Sequence, residues 1–447
     1  MRVTLDVEDR EGELFAVVTV PGHASTRRPV RWAGARRLLV AKDEQLSDKD
    51  ADALATAVET GHASAENLGR YGACLFDAAF GAETWRVLTS AAADARALHL
   101  ELAIRGRTPA VQALRWEALH DGTAPVAAKG TGGHGQLSVA IVRLIPAAPS
   151  SPAKRQWRLS PVTRIPRVLF AVGSRLTDPR VRPGAEFMGI MRHLERKGGA
   201  IQPRVLEQAT VQTLTEQVEL FQPDVLHIIG HGRRDEVEGR VKLQLRPQPS
   251  DAAGDEWVTA GQLLGVFAAA GHTPAMVILS ACQTASPEHV NALPFAAELV
   301  AGGVPVAVAM AGNIEDTACR VFTRALTRAI SDGVPVTEAV VSGRRAAFHE
   351  RPAPSSADWL LPVVFLSGDV AEDARLVDTA AIRAARQRCH VLDLDWEPVF
   401  CGRGEFITAM DRLLNAADDL NVLVAHTDDE TKSYGGMRLL RELAART

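Results

Sequence analysis

Five short runs of almost unbroken apolar residues constrain this chain more than anything else in it: Val168 to Val172, Val225 to Ile229, Met276 to Leu279, Val304 to Met310 and Leu361 to Leu366. A strand with one wet face alternates apolar and polar residues, whereas continuous apolarity marks strands buried on both faces of a largely parallel sheet. Between the runs lie stretches of helical period. Phe187, Ile190, Met191 and Leu194 form one apolar stripe ahead of a Gly198-Gly199 stop. Leu214, Val218 and Phe221 form a second, and Phe322, Leu326 and Ile330 a third that ends at Gly333. Alternating strands and helices of this kind give an α/β/α sandwich around a largely parallel central sheet.

From Met1 to about Pro146 short alternating runs mix with Ala-rich helical patterns such as Ala51 to Val58. This part reads as an α/β layer without chemistry of its own. Prolines and serines then cluster from Pro146 to Pro152, where no periodicity survives and the chain is expected to cross the surface. With 46% hydrophobic and 23% charged residues the whole is globular rather than disordered. Its 50 basic and 54 acidic side chains leave a net charge of −4 and form no basic stripe, so no nucleic-acid partner is expected. Asp6, Glu8 and Asp9 interrupt the amino terminus too early for a secretory signal. No stretch reaches the ~18 apolar residues of a membrane span. A cytoplasmic location and no membrane partner are the expectation.

In open parallel sheets reactive groups gather beyond the carboxyl ends of the strands, where loops and helix N-termini meet. Two of the apolar runs end in such groups. One continues through Gly230 to His231 and Gly232, the other through Ser280 and Ala281 to Cys282, Gln283 and Thr284. A base and a thiol are thus offered at one edge. An ordinary thiol is only a few per cent ionised near neutrality, so a hydrolase places a histidine within reach to take its proton. His227 competes with His231 for that role. It lies deeper in its apolar run and has no glycine after it, which fits a core histidine better than a base. The other four cysteines, Cys74, Cys319, Cys389 and Cys401, show no C-x-x-C pair, so neither a disulfide framework nor a thiolate metal site is expected.

The segments HIIGHG (His227 to Gly232) and LSACQT (Leu279 to Thr284) resemble the two catalytic motifs of the CHAT peptidases, a branch of the caspase and separase clan. The 51 residues from His231 to Cys282 are close to the caspase spacing. LRWEALHD (Leu114 to Asp121) is similar to another element of the family, and GGVPVAVAM (Gly302 to Met310) and DWLLPVVFL (Asp358 to Leu366) resemble its later core. The resemblance covers about Leu68 to Gly368. It implies a caspase-like sandwich and a cysteine endopeptidase with a His231–Cys282 dyad that needs no cofactor. The backbone N–H groups of Gly232 and Cys282 would form the oxyanion hole, as in caspases. It implies a protein substrate, a regulatory protein partner, and a place in bacterial signalling or defence. The alternative is a catalytically silent interaction module on the same scaffold. Ser280-Ala281 stands where some relatives carry an acid for a basic P1 side chain, which disfavours cleavage after Lys or Arg.

The expected organisation is therefore an N-terminal α/β part over 1–150, a caspase-like catalytic core over 151–368 and a C-terminal appendage over 369–447. The appendage resembles the entry to a signalling ATPase module. Its phosphate-loop segment, His426 to Ser433, lacks the loop glycines and carries Asp428, Asp429 and Glu430, so nucleotide binding is not expected.

Overall fold

The computed structural model describes residues 1–384 apart from 60–62, 96–98, 106–107, 129–136, 147–158, 164, 198–200, 236–239, 248–254, 287–292, 313–315, 350–357 and 381–382. Most of the proline-rich crossing, and the phosphate-loop segment with Cys389 and Cys401, lie outside the described residues.

The chain opens with an antiparallel meander of β1 (Arg2–Arg10), β2 (Glu13–Thr19), β3 (Thr26–Ala33) and β4 (Leu38–Ala41). Arg10 pairs with Glu13, so Glu11 and Gly12 make a two-residue turn, both at positive φ as the tightest hairpins require. Helices α1 (Asp48–Glu59), α2 (Ala65–Ala79) and α3 (Gly81–Asp94) follow. Strand β5 (His99–Arg105) then joins β1 in parallel. After α4 (Pro109–Ala113), β6 (Ser138–Ile145) pairs with β5, again in parallel. Arg2 ties this region to the end of the described chain: Nε binds Glu101 Oε1 at 2.5 Å and Nη1 binds the Val370 carbonyl at 2.8 Å.

The apolar runs become strands, as expected. They are β7 (Arg167–Val172), followed by α5 (Pro183–Lys197), β8 (Gln202–Leu206) and α6 (Val211–Phe221), then β9 (Val225–Ile229). A side sheet of β10 (Gly232–Arg234), β11 (Val241–Leu245) and β12 (Glu256–Val258) leads into α7 (Ala260–Ala269) and β13 (Met276–Ser280). The chain finishes through α8 (Phe295–Ala301), β14 (Val306–Met310), α9 (Asp316–Ser331), α10 (Val336–His349) and β15 (Pro362–Ser367). Every residue of β7, β9, β13, β14 and β15 is buried, which is what their unbroken apolarity encodes.

These strands form one 12-stranded sheet in the order β4-β3-β2-β1-β5-β6-β15-β14-β13-β9-β7-β8. It is parallel outside the N-terminal meander except where β15 runs antiparallel to β14. Apolar side chains of α2, α5, α9 and α10 cover one face and those of α6, α7 and α8 the other, giving two cores with the sheet between them. Helices α6 and α7 start where side chains satisfy their free N–H groups. Thr210 and Thr259 each accept from the backbone three residues on, while Thr213 and Gln262 return the bond. Among the described residues no helix is long and apolar enough to cross a membrane.

Candidate active site

Strands β9 and β13 lie side by side and parallel, so their carboxyl ends open at the same edge. Along β9, Val225 and Ile229 belong to the core under α5 and α9, as do Met276 and Ile278 of β13. Alternation therefore sends His227 and Ser280 to that face as well. Just beyond the strand ends, His231, Gly232 and Cys282 line a common cleft of about 330 Å³ together with Arg180, Glu186 and Cys319. The three residues singled out in the sequence are thus brought together. His227 is not among the lining residues and is fully enclosed.

The fit between the two segments is close. A methyl group built on Gly232 would collide with the carbonyl oxygen of Cys282, so only glycine lets the backbone after His231 run against the backbone at the cysteine. The turn carrying Cys282 is itself strained. Gln283 sits at φ 63, a left-handed conformation uncommon for a residue with a side chain. Neighbouring bonds hold it there: Gln283 N–H donates to the Gly312 carbonyl at 3.1 Å and Ala285 N–H to the Met310 carbonyl at 2.8 Å. The Ser286 hydroxyl donates to the Ala311 carbonyl at 2.7 Å, and Arg115, from the LRWEALHD segment, donates to the same oxygen.

Sequence reasoning missed a third residue. Asp178, in the loop between β7 and α5, has Oδ2 2.8 Å from His231 Nε2. Its other oxygen accepts the backbone N–H of Arg180 at 2.9 Å, an Asx turn that fixes the carboxylate. Burial works to raise the Asp178 carboxyl, but the hydrogen bond from His231, with the Arg180 and Val181 backbone N–H groups, holds it below the usual carboxylate range. An ionised carboxylate can only accept, so neutral His231 carries its proton on Nε2 and keeps the lone pair on Nδ1. That tautomer leaves Nδ1 able to take up a proton. No periodicity marks the loop around Asp178. Its one sequence signal is position, beyond the carboxyl end of the strand next to β9.

At the floor of the cleft lies a second polar group, largely buried. Glu186 of α5 accepts at Oε1 from Ser280 Oγ at 2.7 Å and Thr323 Oγ1 at 3.1 Å, with His227 Nε2 at 3.0 Å. His227 Nε2 is also 2.8 Å from Ser280 Oγ. Burial pushes the Glu186 carboxyl up, but the attraction and hydrogen bond of His227, joined by the two hydroxyls, hold it below the usual range. His227 Nδ1 is buried without a hydrogen-bond partner, so Ser280, His227 and Glu186 are not a relay in which an acid orients a base from its far side. Among the described residues no group of three or more His, Cys, Asp or Glu side chains is arranged to hold a metal ion.

A histidine with an oriented tautomer and a cysteine, carried on the carboxyl ends of adjacent parallel strands in an α/β/α sandwich, define the class of site. Residues 70–369 match the CHAT domain model, and the chain belongs to that family. Among curated proteins nothing matches it. Among solved structures it is similar to the Arg-specific cysteine proteinase gingipain R, at 11% identity and a TM-score of 0.40 over 73% of this chain and 75% of that one. A complex of the pro- and mature domains of a Porphyromonas gingivalis gingipain matches at 11% identity and a TM-score of 0.38, over 73% and 76%. The Saccharomyces cerevisiae separase–securin complex matches at 11% identity and a TM-score of 0.39, over 82% of this chain and 30% of the other.

Proposed function

We propose that the protein is a cysteine endopeptidase in which Cys282 is the nucleophile, His231 the base and Asp178 the residue that orients the base. One observation carries the reading: the ionised Asp178 carboxylate 2.8 Å from His231 Nε2, behind the cleft that Cys282 shares. His231 Nδ1 takes the thiol proton as Cys282 Sγ attacks the substrate carbonyl carbon. The oxyanion is met by the backbone N–H groups of Gly232 and Cys282. Collapse breaks the C–N bond, and the imidazolium gives its proton to the departing amine. Water, deprotonated by the same imidazole, then hydrolyses the thioester and restores the thiol.

The substrate is a protein, and a second, regulatory protein controls access to it. The setting is the cytoplasm of a bacterium, in signalling or defence. The test is to incubate the protein with the products of genes adjacent to its own. Cleavage of one of them by the wild type, abolished in Cys282→Ala and in His231→Ala, is the expected result. Cleavage that survives Cys282→Ala overturns the assignment. Binding of a neighbour without cleavage by the wild type would favour a silent interaction module.

A further inference from the structure

We infer that Glu186 is a positioning residue for the active site: through one carboxylate oxygen it fixes the relative placement of the two strands that deliver His231 and Cys282. The inference rests on the peptidase reading above.

Glu186 Oε1 collects contacts from three separate elements: His227 of β9 at 3.0 Å, Ser280 of β13 at 2.7 Å and Thr323 of α9 at 3.1 Å. His227 precedes His231 by four residues and Ser280 precedes Cys282 by two. The bond between His227 Nε2 and Ser280 Oγ, 2.8 Å, runs across the β9–β13 ladder. The backbone pairs Ser280 with Ile229 and His227 with Ile278, so this side-chain bond is diagonal. A diagonal bond adds to the resistance of the ladder against sliding of one strand along the other.

Simple filling of the core does not account for such a group. Glu186 and His227 are 3% and 0% exposed, and removing two such polar side chains from water costs more than packing hydrocarbon of the same size. Ser280 ends β13 and lines the cleft with Glu186, while His227 sits in the middle of β9 and joins them from the core side. Phe170 packs against the His227 ring at a centroid distance of 5.4 Å, so the imidazole has no free rotation to absorb a change in its partner. A displacement of the two strand ends by about 1 Å is enough to lower turnover about a hundredfold.

The experiment reads Cys282 without a substrate and then with one. The rate of Cys282 alkylation by iodoacetamide is followed against pH in wild type, Glu186→Gln, Glu186→Ala and Ser280→Ala, beside turnover of a cleaved protein. Near-UV circular dichroism and thermal unfolding establish which variants are folded at the assay temperature. In wild type the profile should show a thiolate forming well below the ordinary thiol range. An ordinary thiol profile there would defeat the peptidase reading itself. In folded Glu186→Ala the inflection should move up toward that of a free thiol and kcat fall ten- to a hundredfold with KM within about twofold. Glu186→Gln, which keeps an acceptor, should recover part of both. Ser280→Ala removes one oxygen at almost no volume cost and keeps the test valid if the Glu186 variants do not fold. It should lower kcat several-fold. Folded variants with the wild-type profile and wild-type kcat, losing only thermal stability, would overturn the inference.

Discussion

Asp178 Oδ2 stands 2.8 Å from His231 Nε2, although 53 residues separate them in the chain. In the proposed chemistry this contact chooses which imidazole nitrogen is free to act.

Asp178→Asn should therefore lower kcat by about 10²–10⁴-fold with little change in KM, because an amide can donate to Nε2 and stabilise the wrong tautomer. Steady-state kinetics on a cleaved substrate measures it. The carboxyl is held below its ordinary value, so the orienting contact is complete above the usual carboxylate range and is lost as pH falls through the lowered value. The acid limb of the activity profile should change in the variant. A turnover within threefold of wild type would show that His231 needs no orienting acid.

Gly232→Ala should cost about 10²–10³-fold in kcat, since the methyl group displaces the backbone that offers one oxyanion donor in the proposed chemistry. Gly230→Ala is the matched comparison, because a methyl there meets nothing closer than 3.4 Å and is accommodated. Equal losses in the two variants would argue against a special role for position 232.

Among the described cysteines, Cys282 should react first with iodoacetamide at neutral pH. Cys319 is buried, and burial, with Glu44 and Asp77 adding to it, pushes the half-buried Cys74 thiol up. Peptide mapping after a brief exposure decides the order. Preferential labelling of Cys74 would contradict it.

Stability should also report on Glu101, far from the cleft. Burial pushes its carboxyl up to about 7 despite Arg2 beside it. A raised carboxyl binds its proton more tightly folded than unfolded, so its contribution is fullest below the unfolded value and is lost as pH rises through about 7. Glu101→Gln should gain on the wild type between pH 5 and pH 8, by on the order of 3 kcal/mol. Urea unfolding at the two pH values measures the difference. His99, lowered to about 4 by burial, is common to both proteins and cancels.

The strands were legible because burial on both faces leaves no room for polar residues, and β7, β9, β13, β14 and β15 all show it. Their largely parallel arrangement was legible as well, but the one exception was not: an antiparallel strand buried on both faces is just as apolar, so nothing marked β15 as running against β14. That His231, Gly232 and Cys282 share one cleft could be foreseen because each stands within three residues of the end of an apolar run. Asp178 could not, since a loop acid looks like any solvated acid until the fold turns it toward a histidine. Glu186 lay within reach. It stands four residues before Ile190, on the apolar stripe of α5, and a carboxylate on that stripe has to meet a partner in the core.

The Ala311 carbonyl accepts both from Ser286, four residues past Cys282, and from Arg115, 196 residues earlier in the chain. The left-handed turn at Gln283 leans on that oxygen's neighbourhood through Gly312. The shape of the loop behind Cys282 is thus written in part by a segment that never touches the cleft. Anything that pulls on Arg115, from a docking protein to a cut in the chain nearby, would loosen the turn at Cys282 while leaving β9 and β13 in place. The thiol would fall silent before the sheet came apart.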